Sequence, residues 1–247
     1  MKIIFHPDFY SVYTADPAAA RGRIEAVMRA IEGRYPMVAA RPASDEDIAL
    51  AHVESHMETV RKKGLHEIAA LAAGGSIQAA EIGLKEPAFA LVRPPGHHAS
   101  AQSSWGFCYY CNMAVALLSL HNRGRIQSAF VLDFDLHYGD GNVNILGHRD
   151  WVTLHNPKEQ NRRAYIQTVA QLLSDRDFDI IGISAGFDHH VDDWGGLLET
   201  GDYTTMGALV RAAADRSGGG CFAVLEGGYN HDVLGKNVAA LLKGMAG

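Results

Sequence analysis

Short apolar runs alternate along the chain with longer stretches whose apolar positions recur every three or four residues. The short runs, at 2–5, 88–92, 129–134, 151–154, 179–184 and 221–225, are continuous enough to predict buried strands. The longer stretches, at 18–32, 46–62, 65–83, 112–122, 162–174, 203–217 and 232–243, predict helices. Ser44, three residues before Asp47, supplies the N-terminal cap that opens the second of them. Strands that alternate with helices predict βαβ units with right-handed crossovers. The expected fold is therefore α/β, a mostly parallel central sheet flanked by helices. Without a repeat, a low-complexity linker or a shift in composition, one domain over residues 1–247 is expected.

Four of the predicted strands run into loops rich in Gly, Pro and reactive side chains. They are Arg93-Pro94-Pro95-Gly96-His97-His98, Asp135 to Gly141, Ala185-Gly186-Phe187-Asp188 and Glu226-Gly227-Gly228-Tyr229. In open parallel sheets, ligands bind at the carboxyl ends of strands, so these four segments are expected to meet in one cleft.

The densest chemistry lies in Val131-Leu132-Asp133-Phe134-Asp135-Leu136-His137. Asp133, Asp135 and His137 alternate with apolar residues, which predicts three ionisable groups on one face of a strand. Burying carboxylates without partners is costly, and a divalent metal is the simplest compensation. Asp135, His137 and Asp188 make three ligands, the pattern of a catalytic site with one open position. Zinc suits this set, and Fe(II), Co(II) and Mn(II) also fit it. His97 and His98 are the natural proton carriers, and Asp133 and Asp140 are free to orient them. Tyr229 follows two glycines and is placed to donate a phenolic hydrogen bond to a developing oxyanion.

Composition narrows the reading. With 22 basic and 28 acidic residues the chain is slightly acidic and carries no basic stripe, so neither nucleic acid nor a membrane is an expected partner. No apolar run approaches the roughly 20 residues needed to span a bilayer. Lys2-Ile3-Ile4-Phe5 reads as a first strand rather than a signal peptide, and a cytoplasmic location is expected. Cys108, Cys111 and Cys221 read as buried thiols of a reducing compartment, although a redox pair or half a metal site at Cys108 and Cys111 is the alternative.

Five segments in combination, RPPGHHA at 93–99, GFCYYCN at 106–112, DFDLHYGDG at 133–141, SAGFD at 184–188 and LEGGYN at 225–230, resemble the zinc-dependent histone deacetylase and acetylpolyamine amidohydrolase family. The chain from Asn237 to Gly247 is similar to the end of the bacterial acetylpolyamine amidohydrolases. The resemblance implies the arginase/deacetylase fold and zinc on Asp135, His137 and Asp188. It implies His98 as general base and acid oriented by Asp140, His97 paired with Asp133, and Tyr229 as oxyanion donor. It implies that Phe107 lines the acyl-amine channel and that the Gly106 carbonyl faces the substrate amide. It also implies a structural potassium ion held by Asp133, Asp135, His137, Thr153 and Leu154. The implied activity is hydrolysis of N-acylated amines, acetylpolyamines or acetyl-lysine, as small-molecule or peptide substrates.

The chain departs from the pattern at the rim. Tyr138 stands where the family commonly has a second histidine. After His155 the family's long glycine-rich channel wall is replaced by Asn156-Pro157-Lys158-Glu159-Gln160, which leads at once into a helix. The stretch from Val60 to Ala88 has no room for the loop through which acetylpolyamine amidohydrolases pair. A more open cleft is expected, unless a partner subunit in a homo-oligomer completes the wall. Trp105, Tyr109 and Trp194 are candidates to replace it. Two other readings compete: a binuclear manganese ureohydrolase like arginase, recruiting His97 and Asp133, and a non-catalytic binder of acylated ligands.

Overall fold

The structure is a computed structural model and describes residues 1–174 and 177–247. In chain order its elements are β1 (Lys2–Phe5), α1 (Arg23–Ile31), β2 (Met37–Ala39), α2 (Asp45–Ala49), α3 (Glu54–Lys62), α4 (His66–Gly83), β3 (Ala88–Ala90), α5 (Asn112–Asn122), β4 (Ala129–Asp133), α6 (Asp140–Leu146), β5 (Val152–His155), α7 (Arg162–Ser174), β6 (Ile180–Ala185), α8 (Thr200–Ser217), β7 (Gly220–Leu225) and α9 (His231–Ala246). Short 3-10 turns lie at Pro7–Tyr10 and Pro17–Ala19. The strands form one seven-stranded sheet in the order β2-β1-β3-β7-β6-β4-β5, and every pairing is parallel.

The period of two along each strand divides the core into two layers. Ile3, Phe89, Phe130, Leu132, Ile181, Ile183, Ala223 and Leu225 face α1, α7, α8 and α9. Ile4, Ala88, Ala90, Val131, Ile180, Phe222 and Val224 face α4, α5 and α6. Both faces are covered, which is why these strands read as unbroken apolar runs. Each fully buried Leu, Ile or Phe contributes roughly 1.5–3 kcal/mol, and this double layer fixes where each strand ends. No helix among the described residues is long and apolar enough to cross a membrane.

The elements differ from expectation in four places. β2 was not expected, because Met37-Val38-Ala39 is a short, largely exposed edge strand preceded by Pro36. The helix expected over 46–62 is two helices, broken at Leu50–Val53; Ser44 does cap the first, accepting from Asp47 N at 3.2 Å. The helix expected over 18–32 begins at Arg23, after Gly22 turns the chain at φ 92°. α6 was not expected, and it places Asp140 on a helix's first turn.

Candidate functional site

The loops after β3, β4, β6 and β7 meet at one end of the sheet, where the sequence places its reactive residues. One expectation fails in its detail. β4 stops at Asp133, so Asp135 and His137 are not on a strand. Carboxylates capture the amides that a ladder would have used. Asp135 N donates to Asp133 Oδ1 at 3.4 Å, Leu136 N to Asp188 Oδ1 at 3.1 Å and His137 N to Asp135 Oδ1 at 2.9 Å. The loop is thus coiled around its own acids, a local competition with sheet that Asp side chains favour.

That coil brings Asp135, His137 and Asp188 together, with one potential ligand atom from each within 4.8 Å of the others. His137 Nδ1 lies 3.2 Å from Asp135 Oδ1 and 3.0 Å from Asp188 Oδ2. Asp135 Oδ2 accepts from Gly227 N at 2.9 Å. Asp188 Oδ2 is buried, and the His137 ring nitrogen at 3.0 Å is its one close ionic neighbour. Two carboxylates buried this close together repel each other, and a cation between them offsets the cost. Backbone comes in close on this side, since a Cβ on Gly186 or Gly227 would collide with the Asp135 carboxylate. The donor set fits a divalent ion of the zinc type.

The electrostatics agree. Burial pushes Asp188 up to about 6, with Asp135 adding to the rise. Burial also opposes charge on Asp135, but His97 and His137 outweigh it and hold that carboxyl below its usual range. Hydrogen bonds that the His137 ring donates to Asp135 and Asp188 raise it to about 10. A metal held by these three residues would require His137 to give up that proton.

The two adjacent histidines are held differently. His97 Nδ1 sits 3.3 Å from Asp133 Oδ2, and its Nε2 lies 3.7 Å from Asp135 Oδ1. Burial works against a charge there, yet Asp135 and Asp133 hold His97 well above its ordinary value. His98 Nδ1 lies 2.7 Å from Asp140 Oδ1. Burial and the neighbouring His97 press His98 down to about 4, against Asp140. His98 is thus favoured as the free base, while the acids around His97 favour its charged form.

Tyr229 is anchored through its backbone, its N–H donating to Asp193 Oδ2 at 2.8 Å. Its ring lies between Trp194 (4.1 Å, stacked) and Phe107 (5.9 Å, edge-on). Burial, then Asp135, raises its phenol and keeps the donor proton in place. Gly106 and Phe107 form a turn in which both have positive φ, 57° and 68°. Thr153 and Leu154 lie on β5 in register with Phe130 and Val131 of β4.

Several supporting residues were not singled out from sequence. Asn142 is fully buried and donates to Asp133 Oδ2 at 3.0 Å and to Ser184 Oγ at 2.9 Å. Glu226 Oε2 accepts from Gly96 N at 2.7 Å and His97 N at 3.2 Å, fixing the double-histidine turn. Asn156 Oδ1 accepts from Gly139 N at 2.9 Å. Arg23 Nε donates to Gly228 O at 2.8 Å beneath Tyr229. The only signal for Glu226 is its place in the LEGGYN segment, and Arg23 carries none.

At the rim, Trp105 and Trp194 flank the site as the sequence suggests. Tyr109 does not, because it packs on the Ile48, Met57 and Tyr110 cluster. A cavity of about 660 Å³ opens beside Asp135 and His137, walled by Tyr138, residues 156–160, His189 and Leu197. A second of about 460 Å³ continues from Tyr138 along β5.

Comparison with known proteins agrees with this architecture. A family model described as "Histone deacetylase domain" matches residues 18–157 and 152–245. The two matched segments overlap at residues 152–157. The chain belongs to the histone deacetylase family. It is 30% identical to "Histone deacetylase 10, chloroplastic" of Oryza sativa, over 84% of this chain and 62% of that protein. It is 27% identical to a "Probable deacetylase" of Methanothermobacter thermautotrophicus, over 99% of this chain and 91% of the relative. The solved HDA15 HD domain shares the fold with a TM-score of 0.86 at 23% identity, over 98% of this chain and 88% of that one. The chain therefore spans less than two thirds of the rice relative but nearly all of the archaeal one.

Proposed function

We propose that this chain is a zinc-dependent amidohydrolase that removes acetyl or related acyl groups from N-acylated amines. The observation that carries the reading is the Asp135, His137 and Asp188 group, two buried carboxylates converging on one imidazole, in the same cleft as a neutral His98 bound to Asp140. A divalent ion held there polarises the acyl carbonyl and activates water.

The chain's own groups supply the remaining chemistry. Asp140 holds His98 as the Nδ1–H tautomer, which leaves Nε2 bare to accept the proton of the attacking water. His98 then returns that proton to the departing amine nitrogen. The Tyr229 hydroxyl donates to the carbonyl oxygen as negative charge develops on it, an interaction worth roughly 3–4 kcal/mol in comparable oxyanion sites. The Gly106 carbonyl accepts from the substrate amide, and Phe107 lines its path. His97, charged and bound to Asp133, offsets the buried carboxylates. Potassium at Asp133, Asp135, His137, Thr153 and Leu154 belongs to the same proposal.

Among the described residues one group of side chains fits a metal, and His97 and Asp133 bond each other. Both facts favour one metal over the two of a ureohydrolase. Relatives named "Polyamine deacetylase HDAC10" from mouse and zebrafish, 24% identical, make acetylpolyamines a substrate class to test first. Acetylated polyamines, acetyl-lysine peptides and longer acyl amines should be assayed with zinc-loaded protein. Chelator-sensitive release of free amine from at least one class is expected, and silence across the panel refutes the reading.

A further inference from the structure

We propose that Trp105 is a positioning residue for the His98–Asp140 pair, a role that rests on the acid–base reading given above. The chain brings Trp105 to His98 by design of its backbone. Ala99 and Ser104 form an antiparallel bridge, and Ser100 N donates to Ser103 O at 2.8 Å, so residues 99–104 make a small hairpin. In such a ribbon the residues flanking a bridged pair are neighbours. His98 precedes Ala99 and Trp105 follows Ser104, so the two rings face each other, with centroids 3.9 Å apart and planes 31° apart.

The contact closes into a three-part clamp. Asp140 Oδ1 takes His98 Nδ1 at 2.7 Å, and Asp140 Oδ2 takes the indole N–H of Trp105 at 2.9 Å. Both carboxylate oxygens are occupied, and the two rings they hold lie on one another. The Asp140 carboxylate cannot rotate without breaking one bond, so the imidazole is fixed in tautomer and in tilt.

The turn that follows is shaped around the same imidazole. Cys108 N donates to Trp105 O at 3.0 Å, closing a four-residue turn whose central residues, Gly106 and Phe107, both have positive φ. That is the type I′ arrangement, and it favours glycine at both places. Gly106 satisfies it, and a Cβ there would collide with His98 Cδ2. Phe107 does not satisfy it; a non-glycine residue persists in that region only where its surroundings hold it. The Tyr229 ring lies edge-on to Phe107 at 5.9 Å, and the Trp105–Cys108 hydrogen bond closes the turn around it. Trp105 also remains half-exposed.

Two variants separate positioning from wall-building. Trp105→Phe keeps a ring on His98 and deletes the indole N–H. It should lower kcat about tenfold with KM within about twofold, a part of the roughly 10²–10⁴ that a positioned proton-transfer group supplies. Trp105→Ala should lower kcat further. A raised KM with unchanged kcat in Trp105→Phe would make Trp105 a substrate wall and overturn the proposal, as would wild-type values of both.

A second readout needs no turnover. In metal-free, 15N-labelled protein the His98 ring should show the Nδ1–H tautomer alone, and the Trp105 indole proton should exchange slowly. Trp105→Phe should introduce the second His98 tautomer, and Asp140→Ala should free the indole proton. Unchanged His98 ring signals in Trp105→Phe would sink the clamp. If the wild-type protein hydrolyses no acylated amine, the functional reading fails while this spectrum still decides the positioning role.

Discussion

At the floor of the cleft, Asp133, Asp135, Asp188, His97 and Glu226 are buried, and their carboxylates accept from backbone amides or bond neighbouring side chains. At the rim, Trp105, Trp194 and Tyr138 expose 55%, 53% and 48% of their surface, and Lys158 extends over the Tyr138 ring at 5.3 Å. Low dielectric at the floor makes each missing partner expensive, so few arrangements of residues survive there. At the rim, water satisfies whatever the protein leaves unpaired, and loops change length at little cost in stability. The reactive residues are accordingly gathered at the floor, while the rim at residues 156–160 is a short, partly exposed loop beside the cavity.

The largest effects should fall on the floor. His98→Ala and Tyr229→Phe should each lower kcat by about 10² or more while leaving metal content intact, as steady-state kinetics beside elemental analysis will show. Near-normal turnover in either would remove that residue from the mechanism. Asp188→Asn removes a ligand charge without changing side-chain volume appreciably, and it should weaken zinc binding at least about 100-fold in competition with a chromogenic chelator.

Metal affinity should also report the His137 proton. Because His137 is raised to about 10 in the metal-free site, binding below that pH must expel a proton. Affinity should therefore rise about tenfold per pH unit between about pH 6 and 9. A flat profile would show that His137 is already neutral.

What could be read from the chain follows the same division. Asp135, His137, Asp188, His98 and Tyr229 announce themselves because ionisable residues beside Gly and Pro at strand ends have few structural uses. The strands carrying them were legible because burial on both faces makes them unbroken apolar runs. β2 was not, being three residues at an exposed edge. The end of β4 was misread because Asp side chains take amides that alternation assigns to a sheet. Asn142, Asn156 and Arg23 were invisible for another reason: their role is to satisfy partners remote in sequence, and no local pattern encodes that. Trp105 was noticed as a candidate wall residue, and its bond to Asp140, 35 residues away, has no local signal.

Asn142 offers a stability test of the floor. Asn142→Ala removes one donor from Asp133 Oδ2 and one from Ser184 Oγ, and should cost about 1–3 kcal/mol. A lower urea midpoint at unchanged slope would report it. The smallest effect is expected at the rim. Lys158→Ala should change KM by less than about threefold and stability by less than about 0.5 kcal/mol. A larger loss of activity would mean that the shortened wall takes part in substrate binding.

The account depends on one ion in one place. Zinc titrated into metal-free protein, with deacetylation followed at each addition, tests this most directly. Activity should rise in proportion to zinc, level off at one equivalent per chain and vanish on chelation. A plateau at two equivalents, or turnover that persists in the chelator, would contradict it.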